Sequence, residues 1–579
     1  MEKEEAPSEI ESNMVTITLT EEKTVGVKIG TPLLSFVTEH FPTKKNKEGK
    51  IIDIYGAYVN NQATSLIEPI IHDCSISPIY GDTVIGAMIY RRSLYFLTEL
   101  VTRALFPDRM LIHSYTTSRS IICYFDGMED EGISEDDVEK IEENMLKFVH
   151  MELKLRHVFI PFSAAISYLE KERMTRTVDI IAETNNPTIE FVECKWDERK
   201  NSFKQLWIGP VVPHLGYLKV FKVSKFEHGF IVRYPSSCDP TCLVPFDYQP
   251  KQIAAYRAHT EWCKAQGILG IGYLNRAVHE HRVKEFIHIC EAKHDKEYFK
   301  VAEFIEKENK RLICLAGPSS SGKTTSSQKI SMFLRSYGIR PVLISLDNYY
   351  LDADDPRMPR DEKGDLNLEI VESLDHELLN QQLADLLKGR EVEIPVYNFK
   401  LGKRAAKGLP LRLPPKGVIF IEGINSHDDR CSSDIPIDKK VKVFVCPLTV
   451  VDRRLISPMD LRLVRRICRD ALFRGTPASK NIAMWPDVRR AEKKIIFDMI
   501  ETAGIVINTS LDYELGVLKV FAVPLLRAIP VTDPTYGRAR ELLASLQHFA
   551  TIPAEFVPER CVLREFLPEG SMYAEFFEE

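Results

Sequence analysis

The chain has no hydrophobic run approaching the roughly 18 apolar residues that span a bilayer. Its opening, MEKEEAPSEIESN, is acidic and polar, the composition of neither a signal peptide nor a transit peptide, so a cytoplasmic location is expected. Positive charge is not in excess. With 76 Lys and Arg against 83 Asp and Glu, the net charge is -7. That balance argues against a protein built mainly to coat nucleic acid, although it leaves room for a local basic face. No internal repeat and no low-complexity block is visible. The 12 cysteines are scattered, several in apolar strand-like stretches such as LICLAG and VFVCPL, which suits reduced, buried thiols. Cys238 and Cys242 supply half of a metal site, but no second Cys/His pair of suitable spacing follows nearby, so a zinc centre is not expected.

A chain of 579 residues is too long for one core, and about two to four domains are expected. After an acidic tail, 1–13, residues 14–90 read as a small β-rich unit. MVTITLT alternates, PLLSFVTEHF has helical spacing, IIDIYGAYVN returns to strand character, and YGDTVIGAMIY closes the unit. Residues 91–235 mix helices (SLYFLTELVTRALF, DVEKIEENMLKFVHMELKL) with strands (RSIICYF, GFIVRYP). Residues 236–304 are expected to form a charged, helical connector. Over 305–530 short apolar strands alternate with helices (RLICLAG, PVLISLD, GVIFIEG, KVFVCPL, AGIVINT), the pattern of a parallel α/β sheet. Residues 531–579 hold a helix, GRARELLASLQHF, and a proline-spaced tail.

The stretch GPSSSGKTT, 317–325, carries the chemistry. It matches G-x-x-x-x-G-K-[ST] and has a strand before it and a helix after it. Gly317 and Gly322 permit backbone that a Cβ would resist. The N–H groups of Ser319, Ser320 and Ser321, and of Thr325 at the helix start, are then available to phosphate oxygens. Lys323 would reach the β- and γ-phosphates of ATP, and Thr324 would ligate Mg²⁺. Asp347 follows the strand VLISL beside the phosphate crevice, as a base for an attacking hydroxyl or as the cap of the next turn. Glu422 ends the strand VIFIE, as a partner of Mg²⁺ and its waters or as a surface residue in a βα turn. In RLVRRICRDALFRG, Arg462, Arg466 and Arg469 share one helical face, with Arg465 and Arg474 nearby. The alternatives are a lid over ATP and a solvated basic face.

Together these motifs, from about 311 to 520, resemble the uridine kinase and phosphoribulokinase family, in family order. The resemblance implies an α/β P-loop kinase that moves a phosphoryl group from ATP, with Mg²⁺, to a small-molecule hydroxyl. The 5′-hydroxyl of uridine or cytidine is the implied acceptor, with another ribose or sugar hydroxyl as the alternative. SLDNYY would carry the base Asp347 and place Tyr350 at the acceptor. IPVYNFKLGKR would flank a nucleobase with Tyr397 and Phe399 and bring Arg404 to the substrate. In RRICRDALFRG, Arg466 would meet the ribose side, and Arg469 and Arg474 the phosphates; Lys323, Asp347 and Arg469 would be catalytic. The acceptor stretches depart from the family pattern. Asn398 stands for an Asp, Gly402 for the base-reading His, Leu368 for an aromatic, Glu369 for the ribose-binding Asp, and Thr476 for a further lid Arg.

The front half resembles the N-terminal modules of threonyl-tRNA synthetase. Residues 14–90 are similar to its ubiquitin-like β-grasp domain. Residues 91–235 are similar to its α+β editing domain through RRSLYFLTELVTRALFPD, EENMLKFV and WIGPVVPHLGYLKVFKV. The positions implied to hold the hydrolytic His and Cys residues are Arg92, Phe96, Trp207 and Val211, so aminoacyl-tRNA hydrolysis is expected to be lost. A nucleotide-gated tRNA- or RNA-binding protein with little kinase activity is the remaining alternative. The run KWDERKNSFKQLW would serve it, or is a solvated loop. Homo-oligomerisation stays open.

Overall fold

Residues 14–20, MVTITLT, alternate in burial as they do in sequence, and so form the strand β1 (Met14–Thr20) of a half-buried sheet. The computed structural model of the protein describes residues 14–20, 23–128, 131–184, 186–196, 202–268, 270–360, 364, 366–368, 370–399, 401–449 and 455–570. β1, β2 (Lys23–Lys28), β3 (Ile54–Val59), β4 (Gln62–Thr64) and β5 (Cys74–Tyr80) form a five-stranded sheet in the order β2-β1-β5-β3-β4. Only the β1–β5 pair in it is parallel. Helix α1 (Leu33–His40) buries Leu33, Phe36 and Val37 against this sheet.

VIGAMIY opens a helix that continues past the expected boundary at 90. The sheet ends at Tyr80, the Thr83 side chain accepts from the Gly86 N–H as an N-cap, and α2 (Val84–Leu105) runs unbroken across position 90. Its buried positions recur at helical spacing (Ile89, Ser93, Leu97, Leu100), the pattern of one helical face. Beyond it lie two antiparallel sheets and α3 (Glu135–His150). β6 (Leu111–Thr117), β7 (Ser120–Phe125), β12 (Gly229–Arg233) and β11 (Lys222–Phe226) pair in that order. β8 (Leu155–Pro161), β9 (Thr188–Lys195) and β10 (Ser202–Leu206) form the second sheet. The charged connector is helical as expected: α4 (Pro250–Ala265), α5 (Ile271–His279) and α6 (Val283–Lys307).

The last large unit is a five-stranded parallel sheet in the order β14-β15-β13-β16-β17. Its strands are β13 (Leu312–Ala316), β14 (Pro341–Ser345), β15 (Val418–Glu422), β16 (Lys440–Cys446) and β17 (Ile505–Asn508). Central β13 is buried at all five positions, which is why LICLA reads as a continuous apolar run rather than an alternation. Helices α7 (Lys323–Ser336), α8 (His376–Leu387), α9 (Pro458–Phe473), α10 (Ala478–Thr502), α11 (Glu514–Arg527) and α12 (Tyr536–Leu546) complete it. The cores of the two halves are shared. Tyr115, Ile122 and Ile231 pack in one cluster with Ala316, Phe444 and Met499, and Leu97 and Phe203 in another with Leu463, Ile467 and Phe566. All 12 cysteines are free and nine are buried, while Cys238 and Cys242 are exposed. Among the described residues no helix is long and apolar enough to cross a membrane.

Candidate active site

The loop between β13 and α7 has the backbone its glycines predict. Gly322 sits at φ +85°, and a Cβ on Gly317 would lie 2.2 Å from the Val445 carbonyl oxygen. Ser320 adopts φ +58° without being glycine, a strained conformation that the surroundings must hold. The Ser320 and Ser321 hydroxyls are buried with no hydrogen-bond partner among the described residues. Lys323 Nζ, at the first position of α7, donates to the Pro318 carbonyl at 3.1 Å across the mouth of the loop. Unpaired hydroxyls, a bridging ammonium and a helix N-terminus make a cradle that fits a chain of phosphates.

The carboxylates meet this cradle at the carboxyl ends of the strands. Glu422, the last residue of β15, pairs in register with Leu315 on one side and Ser345 on the other. The Thr324 hydroxyl donates to Glu422 Oε1 at 2.9 Å. A hydroxyl and a carboxylate brought together beside a phosphate cradle are hard oxygen ligands suited to Mg²⁺. Asp347 lies in the turn Leu346–Tyr349 that follows β14. Burial pushes its carboxyl above the usual aspartate value, and the charges of Lys323 and Arg474 pull the other way. Burial raises Glu422 too, against Lys323 and the Thr324 hydroxyl.

The acceptor side is aromatic. Tyr350, Tyr397 and Phe399 stand edge-on to one another with centroids 5.1–6.0 Å apart, and Phe399 is well exposed. Tyr350 donates its hydroxyl to the Leu368 carbonyl at 3.0 Å. Arg404 does not reach into open space. It donates to the carbonyls of Tyr350 and Tyr349 at 2.9 and 2.8 Å and pairs with Asp375 at 3.1 Å, so it braces the Asp347 turn instead of offering a free guanidinium. Gly402 turns the Tyr397–Arg404 hairpin at φ +63°, and its N–H donates to the Asn398 carbonyl at 2.8 Å. Glu369 lies outside the described residues.

The arginines of α9 divide into two sets. Arg462, grouped by helical spacing with Arg466 and Arg469, does not face a phosphate. It is buried, donates twice to Glu492 at 2.8 and 2.7 Å, and holds the Ser319 carbonyl at 3.1 Å. Arg465 is fully buried on Glu514 and donates to the Thr509 carbonyl at 2.7 Å. Spacing showed which residues share a face, but not that Glu492 and Glu514 wait there. Arg466 Nη1 donates to the Ser319 hydroxyl at 3.1 Å, and Arg469 pairs with Asp470 at 2.9 Å and Glu565 at 3.8 Å. Arg474 is exposed and lies 3.5 Å from Asp470. Arg466 and Arg469 are thus largely buried beside the loop, and Arg474 stands at its exposed side.

Sequence reasoning missed the groups that hold the loop from behind. Glu492 Oε1 accepts from the Ser319 N–H at 2.9 Å. The C-terminal turn Val562–Phe566 packs on the loop: a Cβ at Gly322 would lie 2.5 Å from Val562 Cγ2, and Thr325 donates to Glu565 at 3.2 Å. The Thr325 hydroxyl therefore faces the tail. The one available signal was the apolar stretch CVL within an otherwise proline-spaced tail.

In the front half, Phe96 is buried against Phe203, Val211 is buried, and Trp207 stacks on His157 with centroids 4.1 Å apart. Arg92 rests against Gly209, where a Cβ would lie 2.5 Å from Nη1. Of the run KWDERKNSFKQLW, residues 197–201 lie outside the described residues, and Ser202–Leu206 form an edge strand of the β8–β10 sheet as β10.

A family model described as the phosphoribulokinase / uridine kinase family matches residues 312–514. The uridine kinase of Macrococcus caseolyticus (strain JCSC5402) is 34% identical over 164 residues, which are 28% of this chain and 70% of that protein. The uridine kinase of Limosilactobacillus reuteri (strain DSM 20016) is 34% identical over 171 residues, 29% of this chain and 70% of that protein. Among solved structures, a possible uridine kinase from Bacillus stearothermophilus is 20% identical, with a TM-score of 0.23 over 34% of this chain and 88% of that one. A D-glycerate 3-kinase from Cryptococcus neoformans var. grubii is 15% identical, with a TM-score of 0.25 over 36% of this chain and 92% of that one.

Proposed function

The chain belongs to the phosphoribulokinase and uridine kinase family, and from that premise we propose that it transfers the γ-phosphoryl group of ATP to the 5′-hydroxyl of a pyrimidine nucleoside. The observation that carries this reading is the convergence of Lys323, Thr324, Glu422 and Asp347 at the carboxyl ends of three neighbouring strands. The loop and Lys323 bind the triphosphate, and Thr324 and Glu422 hold Mg²⁺, which neutralises charge on the phosphates. Asp347 takes the proton of the acceptor hydroxyl as its oxygen bonds to the γ-phosphorus, and the bond to the ADP oxygen breaks. A carboxylate whose affinity for protons is raised by burial is the better base for that step. Arg466, Arg469 and Arg474 supply positive charge around the transferred group.

The test is ADP release with Mg²⁺-ATP against a panel of nucleosides and sugars, with Asp347→Asn as control. Uridine or cytidine should stimulate release, and the variant should lose it while still binding ATP. Stimulation by a different acceptor would keep the mechanism and replace the substrate. A flat response to the whole panel would sink the kinase reading.

A second reading rests on Gly402 and Leu368. Without the side chains the family uses to read a base, the pocket accepts another ribose or sugar hydroxyl. In both readings the front half is a β-grasp unit, supported by the 2-1-5-3-4 strand order, followed by an editing-like unit. With Arg92, Phe96, Trp207 and Val211 where a base and metal ligands would be needed, that unit activates no water. Its place is in the cytoplasm, and its role is assembly or regulation.

A further inference from the structure

The cleft where the second unit meets the start of α9 holds more positive charge than its partners neutralise. Arg91, Arg92 and Asp460 line it, together with Gln205, Gly209 and Ser457, around a cavity of about 100 Å³. Arg489 and Arg538 act on the same Asp460. The carboxylates beside them are Asp460, which lines the cavity, and Glu541, which lies outside that lining and 3.9 Å from Arg92. Both are largely used. Arg538 pairs with Asp460 and with Glu541 Oε2, and the other Asp460 oxygen accepts from the Ser457 hydroxyl at 2.7 Å to cap α9.

Three features point to a missing anion. Arg92 Nη1 and Arg489 Nε are buried with no hydrogen-bond partner among the described residues. Glu541 Oε1 is buried and unpaired as well, and lies 3.9 Å from Arg92 Nη1, too far for a direct hydrogen bond. Burial lowers the proton affinity of both Arg92 and Arg489, with Arg91 and Arg538 adding to the effect in each case and the carboxylates opposing it.

We propose that this cleft binds a hydrogen phosphate group, as inorganic phosphate or as the end of a small phosphate monoester, on Arg91 and Arg92, the two guanidiniums that line it, with the nearby charge of Arg489 in support. Guanidiniums suit phosphate oxygens because their planar N–H groups match them in pairs. The unpaired Glu541 oxygen adds discrimination. One ligand oxygen can accept from Arg92 Nη1 and, if protonated, donate to Glu541 Oε1. Inorganic phosphate carries such a proton near neutral pH, a monoester carries it only toward about pH 6, and sulfate does not carry it. The cavity has room for the phosphoryl group.

The site is within one helical turn of the two residues that hold the P-loop. Asp460 precedes Arg462 by two residues, Arg489 precedes Glu492 by three, and Arg462 and Glu492 together hold Ser319. An anion that fixes these two turns therefore alters the loop, and by reciprocity a loop-bound nucleotide alters anion affinity.

The experiment is calorimetric titration of inorganic phosphate into the full chain already saturated with Mg²⁺ and a non-hydrolysable ATP analogue, so that the P-loop is filled. One further saturable site is expected, with sulfate binding more weakly. Arg92→Met and Arg489→Met should each weaken it about tenfold or more, and Arg92→Lys should recover part of the loss. A cooperative melting transition in each variant establishes that it folds. If phosphate fails but glycerol 3-phosphate binds with the same dependence on Arg92, the ligand is an organic phosphate. Absence of binding by either, or binding unchanged in both Met variants, overturns the proposal. Should the ATP analogue itself fail to bind, the kinase reading fails, and comparing the wild-type and Arg92→Met chains still decides this site.

Discussion

Arg462 and Glu492 form a buried bidentate ion pair, at 2.8 and 2.7 Å, that grips both backbone polar groups of one P-loop residue: Arg462 donates to the Ser319 carbonyl and Glu492 accepts from its N–H. The loop is thus preset by two helices that follow it by some 140–170 residues. Removing one member strands the other charge in a dry site. Glu492→Ala should destabilise the chain by about 3–5 kcal/mol. The double variant Arg462→Met/Glu492→Met should lose less than Glu492→Ala alone. Chemical denaturation of the set checks this, and a double variant as unstable as the sum of the single ones would refute the coupling.

Asp347 must be deprotonated to accept a proton, so the rate should rise with pH through its pKa. Burial places that pKa above the ordinary aspartate value of about 3.9, and Lys323 and Arg474 restrain it. The acid limb of kcat/KM should therefore lie above that value. Arg474→Met removes one restraining charge and should move the limb to higher pH as well as lower the rate. A limb that stays in place would show that another group is titrating.

Thr324 and Glu422 share one hydrogen bond at 2.9 Å, which a metal ion would replace with two Mg–O contacts. Thr324→Val should raise the free Mg²⁺ needed for half-maximal rate by about tenfold, the equivalent of one charge-assisted contact. Thr324→Ser should leave it near the wild-type value. Activity against free Mg²⁺ at fixed ATP gives the comparison, and an unchanged requirement in Thr324→Val would remove this residue from the metal site.

His157 ties the N-terminal unit to the second one. Burial alone would lower its imidazole, but Glu190 at 3.3 Å from Nε2 and Glu68 at 2.8 Å from Nδ1 outweigh it and raise it from 6.5 to about 9. The folded value exceeds the unfolded one. The stabilisation is therefore complete below about pH 6.5 and fades as pH rises through about 9. The melting midpoint should fall over that interval, and His157→Gln should flatten the fall. An equal fall in wild type and variant would assign it to other groups.

What could be read from the sequence was whatever is local. The loop 317–325, the strands that end at Glu422 and before Asp347, and the helical face of α9 all follow from spacing within about fifteen residues. What escaped depends on distant partners. Arg462 and Arg466 occupy equivalent-looking places on one face, yet Glu492 buries the first while the second stays beside the Ser319 hydroxyl. Arg404 sits in a stretch resembling an acceptor site, but three groups of the Asp347 turn and α8 claim its guanidinium. The Cys561–Leu567 tail carries no pattern of its own, and its docking on the loop is tertiary. The expected boundary at 90 falls inside α2, whose start is marked by the Thr83 cap and by the helical spacing that follows it.

Gly402 stands where a base-reading His is expected, and its backbone gives a reason that the substitution is not simply a lost contact. The hairpin turns there at φ +63°, and an added Cβ would lie 3.0 Å from the Ala353 Cβ. Gly402→His should therefore destabilise the chain by about 1–2 kcal/mol from the left-handed backbone alone. Gly402→Asn should lose less, since Asn tolerates that region better. Because the imidazole would leave from a strained turn already packed on Ala353, Gly402→His should not lower the KM for uridine. Thermal melting and uridine kinetics of the two variants decide it. A stable Gly402→His chain with a lower KM would mean that the turn accommodates a base reader, and that its absence alone had limited the acceptor range.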